Sequence, residues 1–254
     1  MERIYIIIFF VFGSIMGSFF HVISTRLSKG KSIVRPASHC EKCNHQLKWY
    51  ELIPIVSYII QGGKCRKCKS KLPISYLLME ICTGILYAVC FHKFGFSLEL
   101  ITALIFTSSL IIVIISDIEY MIIIDEILIV ASFSIIIIDI FNYGLYEAAL
   151  KILAGLGAFA TMYLIKKLGD LMFKQESLGG GDIKLMFLIG LVIGYAMSVC
   201  NIFFATFIAF PIALYLLISK KDNIIPFGPF LSMSAILLYI WGLTFTDIIT
   251  FIIT

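Results

Sequence analysis

Residues 100–141 read LITALIFTSSLIIVIISDIEYMIIIDEILIVASFSIIIIDIF: two long apolar runs joined by a stretch that carries Asp117, Glu119, Asp125 and Glu126. Each run approaches the roughly 20 apolar residues that cross a bilayer, and neither contains a Lys or Arg. The pair therefore reads as two membrane spans, 99–116 and 121–141, that meet at an acidic turn.

The rest of the chain supports the same solvent. Of its 254 residues 60% are hydrophobic and 14% charged, with a mean hydropathy of +1.02, whereas soluble domains have about 25% charged residues. Windows of span length recur at 4–23, 74–92, 99–116, 121–141, 146–165, 183–198, 201–218 and 229–250, which predicts an all-α polytopic membrane protein of about eight transmembrane helices. The first window, IYIIIFFVFGSIMGSFFHVI, lacks the basic start and small-residue cleavage site of a secretory signal and reads as a retained span. No internal repeat is visible, so an inverted-repeat transporter is not indicated.

Positive charge in short loops marks the cytoplasmic side. With the N-terminus outside, loops 24–73, 166–184 and 219–222 lie inside and hold 11, 4 and 2 of the 20 Lys and Arg residues. Only Arg3, Lys93 and Lys151 remain outside. The net charge of +4 is accounted for by basic loops against anionic lipid, and no nucleic-acid partner is implied.

The division that follows is a first transmembrane helix (1–23), a cytosolic insertion (24–73), and the remaining helices (74–254). The insertion carries two C-x-x-C pairs, Cys40 with Cys43 and Cys65 with Cys68. Four thiolates so spaced suit one tetrahedral Zn²⁺ in a structural role, since they leave no open position for water. The competing reading is disulfides, which a reducing cytosol disfavours. His39 and His45 flank the first pair and are expected to face solvent. Cys82, Cys90 and Cys200 fall inside spans as packing residues.

Acids near span ends on one side are the informative ones, because charge inside a membrane is costly and usually functional. Asp117 and Asp182 are expected at the inner ends of separate helices. Two facing carboxyl groups are the minimum apparatus of an aspartyl protease: one, ionised, takes a proton from water, and the other, protonated, polarises the scissile carbonyl. Each acid alone is equally a helix cap. Asp125, eight residues beyond Asp117, stands a little over two helical turns away if the helix is continuous. Other readings of the same acids are a proton-coupled carrier or a non-catalytic assembly scaffold.

The chain resembles the type IV prepilin peptidases, GxGD-class intramembrane aspartyl proteases. The resemblance rests on GSFFHVISTRL (17–27), RPASHCEKC (35–43), LKWYELIPIVSY (47–58), GGKCRKC (62–68), ISYLLMEICTG (74–84), D-x7-D (117–125), GGGD (179–182) and PFGPF (226–230). It implies Asp117 and Asp182 as the catalytic pair, with Asp125, Gly179, Gly181 and Lys184 supporting the site or binding substrate. It implies cleavage of the basic leader of prepilins or pseudopilins at the inner membrane face. It also implies N-methylation of the new terminus from S-adenosylmethionine, placed on 24–84 with Glu80 and Gly84 as donor-binding positions; peptidase activity alone is the alternative. The chain departs from the family pattern at Ile124, where Pro is usual, and at His21, where Asn is usual.

Overall fold

Small residues set how closely two apolar helices approach, and here they fix the first helix pair. In the computed structural model, which describes residues 2–40, 42–174, 178–218, 225–243, 245 and 247, helix α1 (Glu2–Ser28) packs along α3 (Ile74–Phe94). A Cβ on Gly84 would stand 2.5 Å from Ser14 Oγ and 2.9 Å from the Phe10 carbonyl, and one on Gly13 would stand 2.7 Å from the Thr83 carbonyl. The backbones therefore meet as in small-residue membrane interfaces. Toward one end Phe9 stacks on Phe91 with ring centroids 4.5 Å apart.

Between α1 and α3 lie a 3₁₀ turn (Trp49–Glu51) and a short helix α2 (Val56–Ile60). The two C-x-x-C knuckles of this segment fold alike. Cys40 N–H donates to His45 O and Cys65 N–H to Ser70 O. Asn44 and Lys69, each four residues beyond its first cysteine, both adopt positive φ. Isolated antiparallel bridges then close each knuckle, His39 with Gln46 and Lys64 with Lys71.

Residues 1–100 and 101–254 form two compact units. The second contains most of α4 (Leu98–Tyr120), then α5 (Asp125–Tyr143), α6 (Leu145–Phe173), α7 (Gly180–Ile193), α8 (Tyr195–Ile218) and α9 (Gly228–Trp241). Among the described residues six helices are long and apolar enough to cross a membrane: α1, α3, α4, α5, α6 and α8. α7 differs: at 14 residues it is about 21 Å long, short of the roughly 30 Å hydrocarbon core. Its surface is covered by protein, with Leu185, Met186, Leu188 and Ile189 fully buried. Gly155 and Gly190 let α6 and α7 touch, since a Cβ at Gly190 would meet that of Ala158 at 2.6 Å. In the α5–α6 hairpin Lys151 Nζ reaches Asp139 Oδ1 at 2.7 Å, which satisfies one oxygen of a buried acid.

The eight expected spans correspond in order to α1 and α3 through α9, with several boundaries displaced: α1 runs on to Ser28 and α6 to Phe173, where ends at 23 and 165 were expected. The sixth was expected to run to 198, but Gly194, at φ 82°, ends α7, and Tyr195 already begins α8. The fourth was expected from 121, but Met121, at φ 54°, ends α4 and α5 starts at Asp125. The loop 219–222 and the end of the eighth span lie outside the described residues.

The α1–α3 contact yields a stability test. Gly84→Leu should cost about 1–3 kcal/mol by overpacking, read as a lower Tm of the purified protein in detergent. Gly180→Ala, whose added Cβ meets nothing within 4 Å, should leave Tm nearly unchanged.

Candidate functional site

Asp117 lies in the last turn of α4 and Asp182 in the first turn of α7. Both are 6% exposed, and each carboxyl lies within the other's electrostatic reach. The structure thus brings together the two acids that the sequence pairs. Asp182 is not the N-cap of its helix. Gly179 occupies that position, and Asp182, three residues on, accepts the Gly179 N–H, the returning half of a capping box. Asp182 Oδ1 is buried without a hydrogen-bond partner, and such orphaned acceptors are rare in native proteins and demand a reason. Lys166, in the second half of α6, lies within electrostatic reach of Asp182.

Asp117 accepts the backbone N–H of Gly228, at the start of α9. A Cβ there would stand 2.6 Å from Asp117 Oδ2 and 3.0 Å from Ile123 Cδ1, and a Cβ on Gly181 would meet Ile123 Cβ at 2.7 Å. Ile123 is therefore packed between the GGGD arm and the PFGPF loop. Neither Gly228 nor Ile123 was singled out for the site from sequence. PFGPF was the one available signal, while an isoleucine in an apolar run carries none.

The segment 121–124 is not helical, so the helical spacing expected between Asp117 and Asp125 does not hold. Asp125 instead opens α5 and pairs with Lys184 of α7 at 2.5 Å, both side chains about half exposed. Of the supporting residues, Gly179 and Gly181 thus frame Asp182, and Lys184 holds Asp125.

In the first unit the Sγ atoms of Cys40, Cys43, Cys65 and Cys68 lie within 4.8 Å of one another. Cys40 to Cys68 is 3.8 Å and Cys43 to Cys65 is 3.9 Å. Thiolates about 2.3 Å from a central tetrahedral ion stand about 3.8 Å apart, so donor set and spacing fit a metal ion. The Ser70 hydroxyl and N–H bring the Cys68 thiol down to about 6, which favours the ligating thiolate. His45 does not face open solvent as expected. Its Nε2 lies 3.4 Å from Glu51 Oε2, and that carboxyl, which also accepts the Lys48 N–H, titrates below its ordinary range.

Glu80 and Gly84, the expected donor-binding positions, both lie on α3. Glu80 Oε2 accepts the Ile55 N–H at 2.7 Å, which ties down the turn before α2, and the Cα of Gly84 is pressed against α1. Of the three cysteines assigned to span packing, Cys90 is buried, Cys200 half-buried and Cys82 exposed.

Residues 11–94 match the Bacterial Peptidase A24 N-terminal domain and residues 104–214 the Type IV leader peptidase family, so each structural unit holds one match. A prepilin leader peptidase/N-methyltransferase of Bacillus subtilis (strain 168) is 37% identical over 92% of this chain and 94% of its own length. The chain belongs to the type IV leader peptidase family. A protein of the same description from Vibrio cholerae is 26% identical over 94% of this chain and 98% of its own. One from Pseudomonas aeruginosa is 26% identical over 83% and 73%. No solved structure matches the chain. As a leader peptidase with six helices apolar and long enough to span, it is a membrane protein.

The Asp125–Lys184 pair is exposed on both sides, and such pairs are worth about 0–1 kcal/mol. Lys184→Met should therefore shift the Tm very little; a large drop would show that the pair carries more of the fold than its exposure implies.

Proposed function

We propose that this chain is an intramembrane aspartyl endopeptidase of the inner membrane. It removes the basic leader of type IV prepilins or pseudopilins at the cytoplasmic face and then N-methylates the new N-terminal residue. The observation that carries the reading is the convergence of two buried carboxyl groups from separate helices, each held by a glycine N–H, with one oxygen of Asp182 left without a partner. Two carboxyl groups at close quarters share one proton. The ionised one takes a proton from the attacking water, and the protonated one donates to the scissile carbonyl. Gly179, Gly180 and Gly181 offer no side chain to obstruct an extended substrate backbone. That backbone must leave its helical hydrogen bonds before it can be cut.

The topology of this reading has the N-terminus outside and both the cysteine cluster and the aspartates inside, which the distribution of Lys and Arg supports. The insertion 24–73 is a zinc-bearing subdomain, with Cys40, Cys43, Cys65 and Cys68 as ligands in a structural site. Zinc there replaces a hydrophobic core that a segment of this size cannot build. S-adenosylmethionine would supply the methyl group. The match of residues 11–94 to the A24 N-terminal domain supports placing that activity on the first unit. Glu80 and Gly84 serve it as positioning residues, one holding the 52–55 turn and the other the α1–α3 contact.

Leader cleavage by the reconstituted protein, followed by the mass of a prepilin substrate, tests the assignment. Asp117→Asn and Asp182→Asn should each lower the rate at least about a thousandfold, as expected for residues that act as a unit. Gly228→Ala pushes a methyl group against the Asp117 carboxyl and should cost about a hundredfold through misplacement. Full cleavage by both Asn variants would overturn the catalytic pair.

Zinc analysis should find one ion per chain. Its removal by chelation, or Cys65→Ser, should abolish the added mass of one methyl group on the product while cleavage persists. A product never methylated, even with zinc and methyl donor present, would leave a peptidase only.

A further inference from the structure

The cysteine-bearing segment turns an apolar face outward. Between residues 49 and 60, Trp49 is 78% exposed, Ile59 65% and Ile60 74%, and Leu52, Ile53 and Val56 are also exposed. Single exposed apolar residues need no explanation, but six within one short stretch outside the spans form the kind of patch that marks a contact surface.

Local bonding fixes this face. Tyr58 points inward: its hydroxyl donates to the Leu72 carbonyl at 3.3 Å, and its ring lies against Gly63, where a Cβ would stand 2.9 Å from the phenolic oxygen. With Tyr58 turned in, the helical spacing of α2 turns Val56, Ile59 and Ile60 out. The Ile55 N–H bonded to Glu80 anchors the turn that leads into α2.

The surroundings of the face are strongly basic. Residues 24–73 hold 11 Lys and Arg against two acids, Glu41 and Glu51, and the Glu51 side chain is buried and bonded to the Lys48 N–H. The segment is tethered at both ends, since α1 ends at Ser28 and α3 begins at Ile74, and both helices are of spanning length. A bilayer surface is thus within reach from either end. A fixed apolar face with a Trp, set among lysines, has the composition of a segment lying in a membrane interface.

We propose that the 49–60 face seats this subdomain on the bilayer, with Trp49, Ile59 and Ile60 immersed in the interface of an anionic leaflet. Acidic headgroups attract the surrounding lysines. A prepilin, the other apolar partner at hand, would bring a basic leader that the same lysines repel.

The chain has two tryptophans, Trp49 and Trp241, so Trp241→Phe in the full-length protein isolates the reporter. In vesicles containing phosphatidylglycerol, Trp49 should be quenched by brominated acyl chains, and its quenching by aqueous acrylamide should fall severalfold relative to detergent. In pure phosphatidylcholine both effects should be weaker. The double variant Ile59→Asp/Ile60→Asp should restore acrylamide access while keeping its bound metal. Acrylamide access as free in vesicles as in detergent, with no effect of brominated lipid, would overturn the proposal. So would shielding that arises only when a prepilin is added, which would assign the face to substrate. If the double variant loses its metal, the quenching of Trp49 on the unaltered face decides alone.

Discussion

A carboxyl group taken out of water must find hydrogen-bond donors or remain protonated, and residues 101–254 are arranged around two such groups. The donors are backbone amides, those of Gly228 and Gly179. At Gly228 the approach leaves no room for a side chain, since a Cβ there would stand 2.6 Å from Asp117 Oδ2. The end of α4, the start of α7 and the start of α9 must therefore converge, although they are far apart in sequence. The burial of most of α7 fits the same requirement. A helix too short to reach both faces of a bilayer needs protein at its ends, and the N-terminal end of α7 is met by Ile123.

The first unit meets a different problem. Its helix pair closes through glycines, but the segment between the helices has few buried apolar residues beyond its cysteines. Four thiolates on two similarly folded knuckles supply the missing crosslink, and the Glu51 carboxyl adds another by joining the Lys48 amide to His45. Because these polar bonds and the cysteine cluster gather the segment from within, its apolar side chains at 49–60 are left to face outward. In a soluble protein such a surface would promote aggregation; beside a membrane it has a natural counterpart.

Much of this was legible in the sequence because hydropathy and cysteine spacing are local properties. The long apolar helices follow in the expected order, the cysteines cluster, and Asp117 lies within electrostatic reach of Asp182. What was missed depends on contacts that no local pattern records. The apolar windows cannot register that Gly194 ends one helix and Tyr195 begins the next, because Tyr195 through Ser198 are apolar enough to continue the run. The fourth span was expected to begin at 121 because Met121 and the three isoleucines after it are as apolar as a span, yet the helix begins only at Asp125. The donor to Asp117 is a main-chain N–H, which every residue but proline carries and which therefore leaves no mark on the sequence. Glu80 and Gly84 were legible as unusual residues in an apolar helix, but not their contacts with the Ile55 N–H and with α1.

Ile123 connects these features. It packs against Gly181 on one side and Gly228 on the other, so the 121–124 segment touches both arms that hold the carboxyl groups. Its ends are fastened unequally. At Asp117 the chain is buried and bonded, while at Asp125 it is joined to α7 by an exposed ion pair worth no more than about 1 kcal/mol. A displacement that breaks this weaker tie moves Ile123 against both glycines at once and changes the setting of both acids together. Interfaces packed this tightly yield by discrete shifts rather than by continuous deformation. Of the two ties, the Asp125–Lys184 pair is therefore the one that can open with the least loss of stability.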